Sequence, residues 1–242
     1  DNRILEHPVV FDGIFDDAIE DNRVLKNPAR GLTIKRKPIP DEVFLDHAQV
    51  EELALASRYP DLIRFLAYTG LRWGEATALR VRNVDRQRRR AHIREAVADV
   101  NGTHHLGSVK AHERRLVAYP EFLDGAIERA CRGKSPDSRL WEGSSGSYLR
   151  PGNTYSGWFA GAVRRCMDAD PTFRRVTPHD LRHTAASLAI SAGANVKVVQ
   201  RMLGHKSAKV TLDTYAALFP DDLDNVTAAL THGRAEQLSR AD

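Results

Sequence analysis

Only two cysteines occur among the 242 residues, Cys131 and Cys166, and their separation matches no metal-ligand spacing. They read as buried reduced thiols, as in a cytosolic protein, rather than as a disulfide framework. No stretch approaches the roughly eighteen apolar residues that a membrane span needs, and no signal-peptide pattern opens the chain. Internal repeats and low-complexity tracts are missing as well. What is there is an ordinary globular composition, 42% apolar and 28% charged, with a net charge of +4. That modest excess of cations permits nucleic-acid binding without requiring it. The length allows one large domain or a domain with an appendage. The first residue is Asp rather than Met, so the chain reads as a piece of a longer protein.

The densest pattern of reactive side chains runs from Thr177 to Tyr215. Thr177-Pro178 predicts a helix start, with a hydroxyl N-cap and proline in the first helical position. His179 and Arg182 then share one face of the first turn, while Leu181, Ala185 and Leu188 form the apolar face. Unpaired N–H groups and the positive end of the helix dipole beside those two side chains make an anion site. Gly193 ends this helix, Asn195 caps the next, and Gly204 ends that one, so His205 follows in a loop. Ser207 opens a last short helix with Tyr215 near its end.

The order H-x-x-R, then L-G-H, then a tyrosine ten residues later resembles the tyrosine recombinases, the phage-integrase family. Upstream, Thr69-Gly70-Leu71-Arg72-Trp73-Gly74-Glu75-Ala76 resembles that family's first box. Ser108-Val109-Lys110 followed by Arg114-Arg115-Leu116-Val117 resembles the segment carrying its hairpin lysine. The resemblance covers roughly residues 40 to 220 and implies a mainly α-helical α+β catalytic fold with a small antiparallel three-stranded sheet at one edge. It implies a catalytic set of Arg72, Lys110, His179, Arg182, His205 and the nucleophile Tyr215, supported by Glu75 and Asp180, with no metal and no cofactor. It also implies double-stranded DNA bearing an attachment or core site as substrate and a homotetramer as the working assembly. A DNA-bending host factor and an excision factor would be further partners, in the cytoplasm of a bacterial host.

In chain order, residues 1–39 read as the end of a core-binding domain plus a basic linker, and 40–242 as the catalytic domain. Val10, Phe11, Ile14, Phe15 and Ile19 give a helical pattern closed by Asn27-Pro28. Lys35, Arg36 and Lys37 sit in a proline-bounded extended stretch where they can track phosphates. Asp46 with Gln49 predicts a capped helix, and a second is expected over about Asp61 to Tyr68, led by Leu62, Ile63, Phe65 and Leu66 and broken by Gly70. Seven arginines crowd positions 80 to 94. Arg80, Arg82, Arg88, Arg89 and Arg90 among them are candidates for DNA-backbone contacts, with a solvated face as the other reading. Ala91–Val97 reads as a strand, Asn101-Gly102 as a hairpin turn, and a second strand leads to Lys110 at the next turn. Arg115–Tyr119 supplies the third strand. Helices are expected over 121–131 and 154–167, the latter with Tyr155, Trp158, Phe159 and Val163 at core spacing. Leu140-Trp141 is a buried anchor in the loop between them. From about 217 the tail is expected to dock on a neighbouring protomer or in cis.

Breaking a phosphodiester needs a nucleophile, a proton for the leaving oxygen, and cations around the transition state. Tyrosine ionises near pH 10, so Tyr215 needs a base or a cationic field to lose its proton. Arg72 and Arg182 can present planar N–H forks to the phosphate, and His205 can donate one more hydrogen bond. His179 can take the tyrosine proton or support its neighbours, and Lys110 can protonate the departing 5′-oxygen. The resemblance implies a 3′-phosphotyrosine intermediate. His183 reads as a structural hydrogen-bonding residue, and His92, His104, His105 and His112 as exposed on or near the hairpins. His179-Asp180-Leu181-Arg182-His183 mimics the zinc signature H-E-x-x-H, but Asp replaces the catalytic Glu and Arg182 would set a cation beside the metal. Two other classes stay open: DNA relaxation of the type IB topoisomerase kind, and a non-catalytic DNA-binding module in which 194–203 is part of a helix-turn-helix.

Overall fold

The computed structural model describes residues 8–30, 43–109, 114–143, 146–151 and 155–219, with isolated positions 231, 234, 238 and 239. The chain divides into two compact units, 1–41 and 42–242. In the first, α1 (Pro8–Glu20) is followed by a turn that folds back on it. The Asn27 amide donates to the Asp12 carbonyl (3.0 Å) and to the carboxylates of Asp12 (2.9 Å) and Asp16 (2.8 Å). The helix itself ends at Glu20, ahead of the Asn27-Pro28 stop read from the sequence, and Asn27 pins the returning chain to its side. Lys35, Arg36 and Lys37 lie outside the described residues.

The second unit is mainly helical. Its first helices are α2 (His47–Ala56), α3 (Pro60–Thr69) and α4 (Trp73–Ala78). After the strands come α5 (Asp124–Cys131), α6 (Trp158–Ala169), α7 (Asp180–Ser191), α8 (Val196–Leu203) and α9 (Ala208–Tyr215). Their ends follow local chemistry. Asp46 accepts from the Gln49 amide (2.8 Å) while its own N–H donates to the Gln49 side chain (3.1 Å), a complete capping box. Pro60 opens α3, and Gly70 ends it in the left-handed region at φ 66°. Asn195 accepts from the Lys197 and Val198 amides (3.0 Å each), and Gly204 ends α8 at φ 70°.

Helix α3 packs against both α2 and α7, and α6 packs on α2. Val50 and Leu53 of α2, Leu62, Ile63, Phe65 and Leu66 of α3, Phe159 and Val163 of α6, and Leu181 of α7 share one core. Each such large side chain contributes about 1.5–3 kcal/mol by leaving water. Leu140 and Trp141 join that core, as expected of an anchor. A second cluster gathers Ala186 and Ile190 of α7, Val199 and Leu203 of α8, and Tyr215 of α9, with Leu218 and Phe219 packed against it. Residues 220–230 of the tail lie outside the described residues.

The strands are β1 (Val84–Asp85), β2 (Arg90–Ile93), β3 (Glu95–Val100), β4 (Thr103–Ser108) and β5 (Arg115–Ala118). The small antiparallel sheet has three strands, but not the three expected. Its order is β1-β2-β5, while β3 and β4 form a separate ribbon. The expected run over Ala91–Val97 breaks at Arg94, whose carbonyl accepts the Val109 N–H (3.0 Å) instead of a ladder partner. The ribbon then packs on α4, where Gly74 allows a close approach: a Cβ there would lie 2.2 Å from the Val97 carbonyl oxygen. Asn101 (φ 52°) and Gly102 (φ 81°) make the hairpin turn as read from the sequence. Helix α6 starts later than predicted, after Gly157 at φ 98°, a conformation that does not continue a helix. Tyr155 therefore falls outside it. The ring is 76% exposed and lies under the Arg175 guanidinium (4.5 Å), not in the core. Cys166 is buried, which pushes its thiol up to about 11, and Cys131 is half-buried.

Gly74→Ala tests the α4–ribbon contact. We expect it to destabilise by about 1–3 kcal/mol in urea denaturation, as overpacking does. Gly107→Ala, where an added Cβ meets nothing within 4 Å, serves as the control and should change little.

Candidate active site

The site begins with α4. Arg72 is its N-cap, and Glu75 three residues on reaches back to accept from the Arg72 amide (2.9 Å) and guanidinium (3.0 Å). Glu75 is only 2% exposed. A buried carboxylate needs full satisfaction, and here strand β5 supplies it. Arg115 Nη1 and Nη2 bond the two Glu75 oxygens at 2.9 and 2.8 Å, a bidentate fork. Burial pushes the Glu75 carboxyl up, but the bonds and charge of Arg115 and Arg72 outweigh it and hold the group below the ordinary carboxylate range. Arg115 also donates from Nε to the Met202 carbonyl (3.0 Å) near the end of α8. Gly204 leaves room for it, since a Cβ there would lie 2.9 Å from Arg115 Nη1.

From α7 comes Arg182, 3% exposed. Its Nη1 donates to the Gly70 carbonyl and its Nη2 to the Leu203 carbonyl, both at 2.6 Å. Those carbonyls end α3 and α8, at the negative poles of the helix dipoles. Burial first, and then the charge of Arg72, pushes Arg182 down to about 10. It remains a cation at neutral pH.

Helix α7 itself starts at Asp180, two residues later than Thr177-Pro178 predicted, because Pro178-His179 form a turn in front of it. The capping contact survives in another form. The Asp180 carboxylate accepts from the Thr177 amide (2.7 Å) and hydroxyl (2.8 Å). Asp180 therefore fixes the entry that presents His179, whose ring meets that of His183 edge-on with centroids 5.0 Å apart. His205, just past Gly204, has Nδ1 3.0 Å from the Thr211 hydroxyl. With that hydroxyl donating, Nε2 carries the ring proton and can donate to an anion. Burial first, then Arg182 and Arg72, pushes His205 down to about 4, so it works as a neutral donor.

Tyr215 is 1% exposed at the end of α9. Its hydroxyl lies 2.8 Å from His183 Nδ1. The structure thus sets His183 against the tyrosine, a hydrogen bond of the kind the sequence reading expected of it but with a partner that reading did not name. The two histidines are one helical turn apart, so the spacing gave either an equal chance of facing a residue from α9. Arg115 was the residue passed over. Its sequence signal lay only in its place within the hairpin-lysine segment.

Lys110 lies outside the described residues, between Val109 and Arg114. The arginine run is largely committed within the fold. Arg80 pairs with Glu95 (3.0 Å), Arg89 with Asp124 (2.9 Å) and Arg82 with Asp137. Arg90 donates to the Arg88 and Arg89 carbonyls. Arg88 stands open, 85% exposed and 3.9 Å from Asp85. Among the described residues, no group of three or more His, Cys, Asp or Glu side chains is placed to hold a metal ion. No helix among them is long and apolar enough to cross a membrane.

Residues 43–221 match the model of the phage integrase family. The chain is 28% identical over 198 residues to the tyrosine recombinase XerA of Saccharolobus solfataricus, covering 78% of this chain and 59% of that protein. It is 27% identical over 219 residues to the transposase from transposon Tn916 of Enterococcus faecalis, covering 82% and 54%. It therefore spans somewhat over half the length of these curated relatives. Among solved structures, the Tn1549 transposon integrase in complex with a circular intermediate DNA shares the fold. Its TM-score is 0.75 at 21% identity, over 94% of this chain and 78% of that one.

Two outcomes follow from the charges. Arg115→Met leaves Glu75 buried without its bidentate partner and should cost about 3–5 kcal/mol in chemical denaturation. His205 is depressed in the fold, so its contribution to stability is present above about pH 6.5 and drains away as pH falls toward 4. Denaturation midpoints of His205→Gln should fall less steeply than wild type across that window.

Proposed function

The chain belongs to the phage integrase family, and from that membership we propose that it is the catalytic portion of a site-specific tyrosine recombinase that cuts and reseals DNA through a 3′-phosphotyrosine. The observation that carries the reading is electrostatic convergence. Arg182 interacts with Arg72, Glu75, Arg115 and Tyr215, and His205 with Arg182, Arg72, His183 and Arg115. Five elements far apart in sequence thus meet around one small volume. An isolated cluster of buried cations is costly; a bound phosphate makes it favourable.

Tyr215 Oη attacks the phosphorus, forming the P–O bond to tyrosine as the bond to the 5′-oxygen breaks. Arg72 and Arg182 hold non-bridging oxygens with N–H forks, and His205 donates through Nε2. Lys110 protonates the 5′-oxygen, and His179 supports the phosphate face beside Arg182. Phosphotyrosine keeps the energy of the broken bond, so a 5′-hydroxyl can reseal the strand with no other energy source. The substrate is double-stranded DNA, as the Tn1549 integrase in complex with a circular intermediate DNA supports by analogy. Arg88, 85% exposed, is open to a backbone phosphate, and Lys35, Arg36 and Lys37 extend the contact along the linker. Recombination between two duplexes calls for four protomers, with the tail beyond 217 joining neighbours. A DNA-bending host factor and an excision factor set the direction, in the bacterial cytoplasm.

The test is covalent trapping with a pool of nicked duplexes that lose the leaving strand on cleavage. The DNA-linked peptide should map to Tyr215. Tyr215→Phe should abolish the adduct and leave DNA retention in a gel shift intact. Arg72→Ala, at a side chain 39% exposed, should slow adduct formation by about 10²–10³-fold. A peptide mapping to any other residue would overturn the assignment.

A further inference from the structure

The Tyr215 hydroxyl sits in an unusual position for a nucleophile. Its residue is 1% exposed, so its proton cannot pass directly to bulk water. A polar atom faces it at 2.8 Å, Nδ1 of His183 on α7. The rings are tilted, with centroids 5.7 Å apart, which brings the nitrogen edge rather than the π-face to the hydroxyl. Phe44 closes the other side of the tyrosine, 6.4 Å between centroids. From these contacts we propose that His183 is the general base that takes the proton from Tyr215 as it attacks the phosphate. The proposal rests on the recombinase reading above and adds to it a catalytic residue.

The step balances within the groups named. With its own proton on Nε2, the neutral His183 ring offers a lone pair at Nδ1. The Oη–H proton moves to Nδ1 while an Oη electron pair forms the bond to phosphorus. The P–O5′ bond breaks, and the general acid gives a proton to the 5′-oxygen. His183 ends as an imidazolium beside the phosphotyrosine. In rejoining, the 5′-hydroxyl gives its proton back to the acid and His183 returns its own to Tyr215.

A base must be unprotonated before the reaction, and the surroundings of His183 see to it. Burial first, and then the charge of His179, lowers its proton affinity; Asp180 opposes them, and Arg182 adds a smaller downward push. Asp180 and Arg182 stand on α7, and His179 is its N-cap. His205, from the loop after α8, and Tyr215 itself, from α9, also act on the ring. His179 is placed differently. It precedes the helix, one turn before His183, and meets that ring edge-on.

The experiment measures adduct formation on the trapping duplexes with His183→Gln, which cannot act as a base. The rate should fall by about 10²–10⁴-fold, with DNA retention within about twofold of wild type. A duplex with a 5′-bridging sulfur, whose leaving thiolate needs no proton, should leave that deficit in place while relieving the deficit of Lys110→Ala. Replacing Tyr215 by a fluorinated tyrosine of lower pKa should restore part of the His183→Gln rate. That rescue guards against a trivial loss of packing, which a more acidic phenol would not repair. If His183→Gln cleaves as fast as wild type or faster, His183 only latches the tyrosine and the proposal fails. It fails equally if the sulfur substrate abolishes the deficit, or if the fluorinated tyrosine does not help. Absence of a Tyr215 adduct in the unmodified protein would instead sink the recombinase reading beneath it.

Discussion

A carboxylate shut between two guanidiniums, as Glu75 is between Arg115 and Arg72, cannot lose one partner without leaving a buried charge exposed to nothing. The pair is a poor source of stability compared with an apolar core, because desolvation offsets most of the attraction. What it supplies is position and charge. One negative charge shared by two positive ones leaves a net cation, and Arg72 is the outward one, 39% exposed against 9% for the Arg115 side chain. Arg115 thus satisfies Glu75 from within the fold and leaves Arg72 able to meet an anion from outside. The same guanidinium bonds the Met202 carbonyl beneath Gly204. The start of α4, the sheet and the loop bearing His205 are thereby locked to one another.

Arg182 is the second such tie, and it works through helix ends. Gly70 and Gly204 both adopt left-handed conformations that only glycine holds without cost, and each ends a helix whose last carbonyls lack partners. Arg182 takes one carbonyl at each place, from Gly70 and from Leu203. Its charge lies against two negative dipole poles, which offsets part of its burial. The glycines also admit neighbours. A Cβ at Gly70 would fall 2.8 Å from Leu203 Cδ2, so α3 and α8 approach each other where the arginine joins them. A guanidinium has five N–H donors in a fixed plane, and these two bonds orient that plane.

What could be read from the sequence was what local chemistry decides. The Asp46–Gln49 box, Pro60 at a helix start, Asn195 as a cap, the glycine stops and the Asn101-Gly102 turn all depend on residues within a few positions of one another. The errors lie where a distant residue decides. The strand broke at Arg94 because Val109 claims its carbonyl, and the fold, not the local pattern, sends the ribbon onto Gly74. Local pattern could not show either that Arg80, Arg89 and Arg82 pair with Glu95, Asp124 and Asp137, which are adjacent to them only in space. At the site, Arg72, Arg182, His205 and Tyr215 were recognisable by motif, whereas Arg115 and His183 acquire meaning only from the elements opposite them. Spacing places two histidines on one face; it does not say which of them α9 will meet.

The imidazoles of this site are held neutral by burial and by the arginines, and the arriving phosphate acts on both causes. It screens Arg72 and Arg182 with a negative charge, and so raises the proton affinity of the rings beside them. A proton moved from Tyr215 to His183 then turns a neutral ring into a cation next to a phosphorus centre that is gaining a second negative charge. Each step in the transfer increases the attraction that drives it, in a site too buried for water to screen it. Without DNA the same groups repel a proton. A nucleophile governed this way ionises only when the phosphate it is to attack is already in place. Such coupling would spare the rest of the protein from a standing phenolate and make the bound strand a participant in its own cleavage.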